Sequence, residues 1–203
     1  MTYIVPISKD DWGSMAWHLI HNFSIHSTND ECMYILIKTF GYILPCPTCK
    51  KHYNYLINDI FILEKEEISK KKIIKYLYEI HNIINTNLEK KNKISFKKAT
   101  ELHEKTNNND IICFIIIVYS NFNYSNMSFN EFDKIYNFFQ CFMKNYPDKV
   151  LNKKFSQILE SNHFIKSDTP LTFKKWFLKY FKEDKILKKY YNNTKLKLIS
   201  KID

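Results

Sequence analysis

Two cysteines three residues apart, Cys46 and Cys49, have the residue type and spacing for redox chemistry. Pro45 precedes the pair, Pro47 lies inside it, and the flanking segments 33–42 and 50–58 have helical periodicity. Two thiols at the first turn of a helix can close a small disulfide ring, and the helix N-terminus stabilises a thiolate there. The motif therefore predicts a redox-active pair at a helix start.

The same pattern permits two other interpretations. Cys46, Cys49 and His52 have the spacing of zinc ligands, although a structural zinc normally needs four protein ligands and no second Cys or His pair follows at ligand spacing. The pair could also be inert, as a loop disulfide or two thiols. A thioredoxin-like site is disfavoured because it would follow a strand, whereas these flanks are helical. The motif alone leaves redox, zinc-binding and inert interpretations open.

Composition indicates a soluble all-α protein. The 203 residues are 45 % hydrophobic but include only 2 Gly and 5 Pro, and long segments have helical periodicity. The longest apolar run, 111–119, falls far short of the roughly 20 residues that cross a membrane, and residues 1–10 lack the apolar segment of a signal peptide. The net charge of +10 comes from lysine without any arginine, which disfavours sequence-specific nucleic-acid binding.

Periodicity and capping residues predict the helices. In the first half they cover 12–26, 30–42, 46–59 and 68–92, the last opened by Ser69. A polar segment, Thr106–Asp110, is the predicted domain boundary. Beyond it we predict helices at 110–120, 128–145, 148–161 and 171–191, with Ser128 and Glu131 as a capping box.

Two groups of polar and aromatic residues lie at helical spacing. Trp17 and His21 are one turn apart, where they could flank a planar ligand or simply be a core Trp and a capped His. His81, Asn82 and Asn85 interrupt an apolar stripe, and buried polar groups need hydrogen-bond partners. A polar ligand would supply those partners.

Three motifs occur in order along the first half: Trp12-Gly13-x-x-x-Trp17-x-x-x-His21, Pro45-Cys46-Pro47-Thr48-Cys49 and His81-Asn82-x-x-Asn85-x-x-Leu88-x-Lys90. In order, helix placement and separation they resemble the Erv/ALR flavin-dependent sulfhydryl oxidases, over about residues 8–105. The resemblance implies an FAD-binding four-helix bundle with a short fifth helix near 96–103. That oxidase domain would be 1–106, and 107–203 would be a C-terminal helical domain of unassigned function, either a degenerate copy or unrelated.

The resemblance also implies an activity and its residues. The chain would be an FAD-linked thiol oxidase that forms disulfides in thiol-containing substrate proteins and passes the electrons through FAD to O2, giving H2O2. Cys46 would be the outer, substrate-facing sulfur and Cys49 would face the isoalloxazine ring, with no metal involved. The implied cofactor-binding residues are Trp12, Gly13, Trp17, His21, Cys49, His81, Asn82, Asn85, Leu88 and Lys90. The implied assembly is a homodimer.

The sequence departs from the family pattern at several positions. Ser14 replaces a usual arginine, and Tyr78 and about Lys98 stand where many members have a structural disulfide between the fourth and fifth helices. A second Cys-x-x-Cys shuttle is absent, so either a single cysteine at 32, 113 or 141 substitutes or the substrate attacks Cys46 directly. We expect Cys113 to be a core thiol and Cys32 to be structural.

The Lys-, Asn- and Ile-rich composition fits an AT-rich genome, and members of the family that the chain resembles occur in large DNA viruses. The expected location is therefore the host cytoplasm or the virion, with the mitochondrial intermembrane space as the alternative. Two further function classes remain at this point: a zinc-stabilised helical interaction module and a basic nucleic-acid-binding protein.

Overall fold

The computed structural model describes residues 8–65, 68–89, 94–121, 127–160 and 170–199. They form ten α-helices and one π-helical turn with no strand among them, which confirms the predicted all-α class. The helices are α1 (Lys9–His26), α2 (Asp30–Ile43), α3 (Pro47–Tyr55), α4 (Lys70–Asn87), α5 (Phe96–Glu104), α6 (Asn108–Asn121), α7 (Phe129–Lys144), α8 (Lys149–Glu160), α9 (Pro170–Glu183) and α10 (Leu187–Ile199). None of these described helices has both the length and the apolar content to cross a membrane.

Side-chain caps explain where several helices begin. The Ser69 hydroxyl accepts a hydrogen bond from the backbone N–H of Lys72 at 3.3 Å, as predicted for the start of α4. Ser128 and Glu131 form the predicted capping box at the start of α7. Asn29, which sequence reasoning did not assign, caps α2 by accepting from the N–H of Cys32 at 2.8 Å. Helix starts were therefore predictable wherever a capping side chain was recognised.

Two helix ends differ from prediction in the first half. The predicted helix 46–59 stops being α-helical at Tyr55 and continues as a π-helical turn, Leu56–Ile60. At this junction the side-chain amide of Asn58 donates a hydrogen bond to the carbonyl of Asn54 at 2.8 Å. The predicted helix 68–92 ends at Asn87, where Glu89 takes a left-handed conformation with φ of 54°. No glycine marks that stop, so the sequence did not reveal it.

The predicted helix 171–191 is two helices, α9 and α10. Asp184 ends the first and begins the second, since its Oδ1 accepts from the N–H groups of Ile186 and Leu187 at 2.9 and 3.1 Å. Lys154 of α8 forms an ion pair with the same carboxylate, with its Nζ 2.6 Å from Oδ2. A local cap of this kind competes successfully with helix continuation.

Helix α1 lies at the centre of the first half. It packs against α2, α4 and α5 and, on another face, against α6, while α2 packs along α7. Aromatic contacts link the two halves: Phe23 stacks on Phe142 at a centroid distance of 5.2 Å, and Phe40 lies 6.3 Å from both Phe114 and Phe138. The buried core is thus continuous from α1 to α10. The division into domains at residue 106 stays a prediction.

Tyr78 connects α4 to α5 without a covalent bond. Its hydroxyl donates to the carbonyl of Ile94 at 2.9 Å, and its ring meets Phe96 edge-on at 5.3 Å. Both contacts lie at the start of α5. At this position, where the sequence departs from the disulfide pattern of the family it resembles, a hydrogen bond and an aromatic pair join the two helices.

Replacing Gly41 by alanine is expected to lower the thermal midpoint by up to about 8 °C. A Cβ at Gly41 would lie 2.8 Å from Cγ of Asn54 and 2.9 Å from Cδ1 of the buried Tyr53. Overpacking of about 1–3 kcal/mol outweighs the gain in helix propensity of roughly 1 kcal/mol. Gly13→Ala is the matched control, because a Cβ there meets nothing within 4 Å. Equal midpoints for the two variants in calorimetry would contradict this packing argument.

Candidate redox and cofactor site

Cys46 and Cys49 form a disulfide at the start of α3, with their Cα atoms 5.1 Å apart. Cys46 is the N-cap residue, and its Sγ accepts a hydrogen bond from the N–H of Cys49 at 3.2 Å. Pro47 occupies the first turn, where its missing N–H leaves no hydrogen bond unmade. On reduction, a thiolate at Cys49 would lie in the first turn of α3, where the helix dipole stabilises negative charge.

A cavity of about 740 Å³ lies beside this disulfide and reaches from α3 to α4 and α5. Its size falls within the roughly 300–1,000 Å³ typical of cofactor sites. Most of the wall is apolar or aromatic, with polar side chains at a few points. The lining residues used below are Trp12, Gly13, Trp17, Thr48, Cys49, His52, Tyr53, His81, Asn85, Leu88, Leu102 and His103.

Aromatic and imidazole rings are stacked at one end of the cavity. Trp17 stacks on His81 with centroids 4.0 Å apart and planes inclined by 8°. Behind them His21 stacks on His103 at 4.7 Å, and its Nε2 lies 3.2 Å from Nδ1 of His81. The buried Asn22 fixes α5 in this position, since its amide donates to the carbonyl of His103 at 2.7 Å. Three helices therefore converge on one set of flat rings.

Burial lowers the pKa values of two imidazoles of this cluster, His103 and His21. Desolvation lowers the pKa of His103 to about 4, helped by the neighbouring His18. Burial also places the pKa of His21 well below its usual value, with further lowering by His103 and His81. The neutral rings can accept as well as donate hydrogen bonds, which suits recognition of a polar planar group.

Stability is expected to fall as the pH drops below 6.5. His103 and His21 take up protons near pH 6.5 in the unfolded chain but only at much lower pH when folded. Their contribution is fully present above pH 6.5 and is lost as the pH falls toward 4. Since His103 is half-buried and partly screened by solvent, we expect a loss of about 1 kcal/mol from it between pH 7 and 5.

Urea unfolding of the wild type and His103→Gln at both pH values measures this effect. The variant should show a smaller decrease in unfolding free energy from pH 7 to pH 5, because glutamine does not titrate. Equal decreases for the two proteins would mean that His103 does not stay neutral in the folded chain.

The structure brings most of the predicted site residues to this cavity. Trp12, Gly13, Trp17, Cys49, His81, Asn85 and Leu88 line it. His21 lies behind His81, whereas Cys46 and Asn82 are not on the wall. Lys90 lies outside the described residues. Cys49 and not Cys46 is therefore the sulfur next to the cavity, while the roles of all these residues stay predictions.

Several wall residues were not among the cofactor-binding residues predicted from the sequence. His103 and Leu102 come from α5, and Tyr53 and His52 follow the cysteine pair on α3. His18 joins the cluster through His103, with their Nδ1 atoms 3.2 Å apart. Helical spacing from His52 to Cys49 would have indicated a shared face of α3. His103 could not be found this way, because its position depends on how α5 packs against α1.

The disulfide disfavours the zinc-binding alternative, because a zinc site needs free thiolates. Among the described residues, His21, His81 and His103 are the cluster whose ligand atoms, all within 4.8 Å of one another, could hold a metal ion. That cluster includes none of Cys46, Cys49 and His52. The predicted zinc ligand set is therefore not assembled in this structure.

Residues 14–107 match the model of the Erv1 / Alr family. The chain is also 26 % identical over 106 residues to a probable FAD-linked sulfhydryl oxidase of Acanthamoeba polyphaga mimivirus, an alignment that covers 49 % of this chain and 73 % of the relative. No solved structure matches the chain significantly. The matched region contains α2–α5, most of α1, and the Cys46–Cys49 disulfide beside the cavity. Residues 14–107 of this chain therefore belong to the Erv1 / Alr family.

Proposed function

We propose that this protein is an FAD-linked sulfhydryl oxidase that forms disulfide bonds in substrate proteins. The observation that carries the proposal is the position of Cys49, which belongs to a disulfide at a helix N-terminus and also lines a cofactor-sized cavity. A disulfide that accepts electrons needs a second acceptor beside it for repeated turnover. The family membership and the name of the mimivirus relative point to FAD as that acceptor.

The cavity wall fits a flavin dinucleotide. Trp17 and His81 offer flat faces on which a heteroaromatic ring can stack, and Asn85 offers an amide that can both donate and accept hydrogen bonds. Gly13 leaves open space where any other side chain would project, since a Cβ there meets no atom within 4 Å. These residues would hold the cofactor, and Cys49 would meet its redox-active ring.

The reaction we propose begins at Cys46. A substrate thiolate attacks Sγ of Cys46 and breaks the Cys46–Cys49 bond, which releases Cys49 as a thiolate stabilised by the start of α3. A second substrate thiolate then attacks the substrate sulfur of the mixed disulfide, so that the substrate leaves oxidised and both active-site cysteines are reduced. When bound, FAD supplies a two-electron acceptor that reoxidises the pair and passes the electrons to O2, giving H2O2. The exposed Pro47 and Thr48 beside Cys46 leave room for a substrate chain.

Spectroscopy and oxygen uptake test the proposal on one preparation. Purified protein should show the visible bands of an oxidised flavin and consume O2 when dithiothreitol is added. Catalase should return half of the consumed O2, because H2O2 disproportionates to water and half an equivalent of O2. A colourless protein that consumes no O2 and carries zinc would overturn the oxidase proposal and favour an interaction module.

We also propose a homodimer and a viral setting, in the host cytoplasm or the virion. The setting is supported by the viral origin of the relative and by the composition.

The dimer would use surfaces other than the faces of α1 and α2 that α6 and α7 of the same chain cover. Sedimentation velocity and cell fractionation of infected cells test these two points, and a monomer or an exclusively mitochondrial location would contradict them.

A further inference from the structure

Three imidazoles from three different helices meet at one end of the cavity: His21 of α1, His81 of α4 and His103 of α5. One nitrogen of each ring lies within 4.8 Å of a nitrogen of each of the other two. The closest pair is Nε2 of His21 and Nδ1 of His81, which are 3.2 Å apart. We propose that these three histidines bind one zinc ion in the flavin-free chain and that the ion joins α1, α4 and α5.

The separations suit the coordination sphere of zinc. Zinc–imidazole bonds are about 2.0–2.1 Å long, so two nitrogens on one tetrahedral ion lie about 3.3–3.4 Å apart. The contact between His21 and His81 is already close to that value. When the ion enters, the hydrogen that these two nitrogens share moves to the outer nitrogen of its own ring. A hydrogen bond alone would also account for this pair, so the third imidazole is what distinguishes a metal site.

One ring must turn for the site to close around an ion. His21 and His103 are stacked, with planes inclined by 8°, and a metal ion lies in the plane of each imidazole that binds it. Two stacked, nearly parallel rings therefore cannot both direct their lone pairs to one ion. His103 is only partly buried and lines the cavity, so its ring has room to rotate about the Cβ–Cγ bond, a torsion with a broad energy minimum. We expect His103 to move and the buried His21 to stay in place.

The donor set favours zinc over the alkaline-earth ions. Mg²⁺ and Ca²⁺ take oxygen ligands, whereas zinc binds neutral imidazole. Histidine is mostly neutral at pH 7.5, because its ordinary pKa is about 6.5. A zinc ion with three histidine ligands keeps its fourth position for water. Since His81 and His103 line the cavity, that water would enter from the cavity.

This ligand set shares no residue with the zinc site considered from the sequence, Cys46, Cys49 and His52. The two cysteines of that set remain a disulfide, so zinc can bind at the histidines without reducing it. The inference is independent of the proposed oxidase function, because it uses neither the disulfide nor electron transfer.

The test uses the full-length chain, freed of flavin and dialysed against a chelator, in buffer without reductant at pH 7.5. Calorimetric titration with ZnCl2 should show one ion bound per chain. Zinc at a hundredfold excess over its Kd should raise the thermal midpoint by about 5–10 °C. Co²⁺ in place of zinc should give the visible spectrum of a tetrahedral ion, with no near-ultraviolet band from sulfur-to-cobalt charge transfer.

His103→Gln should weaken zinc binding about a hundredfold or more, since losing a ligand costs more than the roughly tenfold to hundredfold effect of losing a partner outside the first shell. His81→Gln is the second variant if circular dichroism shows that His103→Gln does not fold. His52→Gln is the matched control, because His52 lines the same cavity but is not in the cluster. It should bind zinc as the wild type does.

Three results would overturn the inference: no zinc bound by the wild type, full zinc affinity in a folded variant lacking His103 or His81, or a loss of zinc binding in His52→Gln. Oxygen uptake by the protein as purified is measured separately. Zinc bound at the histidines of a protein that consumes no O2 would support this site while refuting the oxidase. Oxygen uptake without zinc binding would do the reverse.

Discussion

Replacing Cys49 by serine should lower dithiothreitol-dependent oxygen uptake by about a thousandfold or more while the protein keeps its flavin. A serine oxygen cannot form the disulfide that accepts electrons, so the reaction loses its nucleophile–leaving-group pair entirely. Flavin binding should persist because serine is close to cysteine in size and Cys49 is one of many residues that line the cavity. An oxygen electrode and the ratio of visible to ultraviolet absorbance measure the two quantities on one sample.

Cys46→Ser separates the roles of the two sulfurs. It should be equally inactive, but it leaves a free Cys49 thiolate on the cavity wall. We expect this variant alone to gain a broad long-wavelength absorption from a thiolate next to a flavin. Cys113→Ala, on α6 and away from the cavity wall, is the matched control and should retain the wild-type rate. The long-wavelength band in Cys49→Ser instead would reverse the assignment of the inner and outer sulfurs.

The helices of the first half were predictable from their apolar stripes and, for several of them, from a recognisable start signal. Ser69 and the prolines around Cys46 identify the starts of α4 and α3 directly. Helix ends were less predictable, since Glu89 rather than a glycine takes the left-handed position after α4. The break at Asp184 was missed because an aspartate inside an amphipathic run does not by itself indicate whether it caps a new helix.

The site was predictable to the extent that its residues share a helix. Trp17 and His21 are one turn apart on α1, and the motif on α4 places His81 and Asn85 on one face. Which of these faces meet is decided by packing among helices, and that requires coordinates. His103 illustrates this point, because Asn22 of α1 holds the backbone of α5 and so sets the imidazole beside His21.

Gly13→Leu should weaken flavin binding by about tenfold to a hundredfold without unfolding the protein. A Cβ at Gly13 meets no protein atom within 4 Å, so a leucine there would extend into the cavity that Gly13 lines with Trp12 and Trp17. Displacing a ligand ring or forcing it to shift costs about as much as overpacking a core, roughly 1–3 kcal/mol. Titration of the flavin-free protein with FAD, followed by the change in flavin fluorescence, measures the affinity.

Gly13→Ala and Gly41→Ala are controls that separate blocking from destabilisation. Alanine at position 13 adds one carbon to the cavity wall and should give a smaller loss of affinity. Alanine at position 41 clashes with Asn54 and Tyr53, so it should lower the thermal midpoint. The FAD affinity of the protein that remains folded should change little. Gly13 faces open space and Gly41 faces packed side chains. Gly13→Ala should therefore cause the larger loss of FAD affinity, and Gly41→Ala the larger loss of thermal stability. Full FAD affinity in a folded Gly13→Leu protein would place the cofactor elsewhere and remove the link between Cys49 and the flavin.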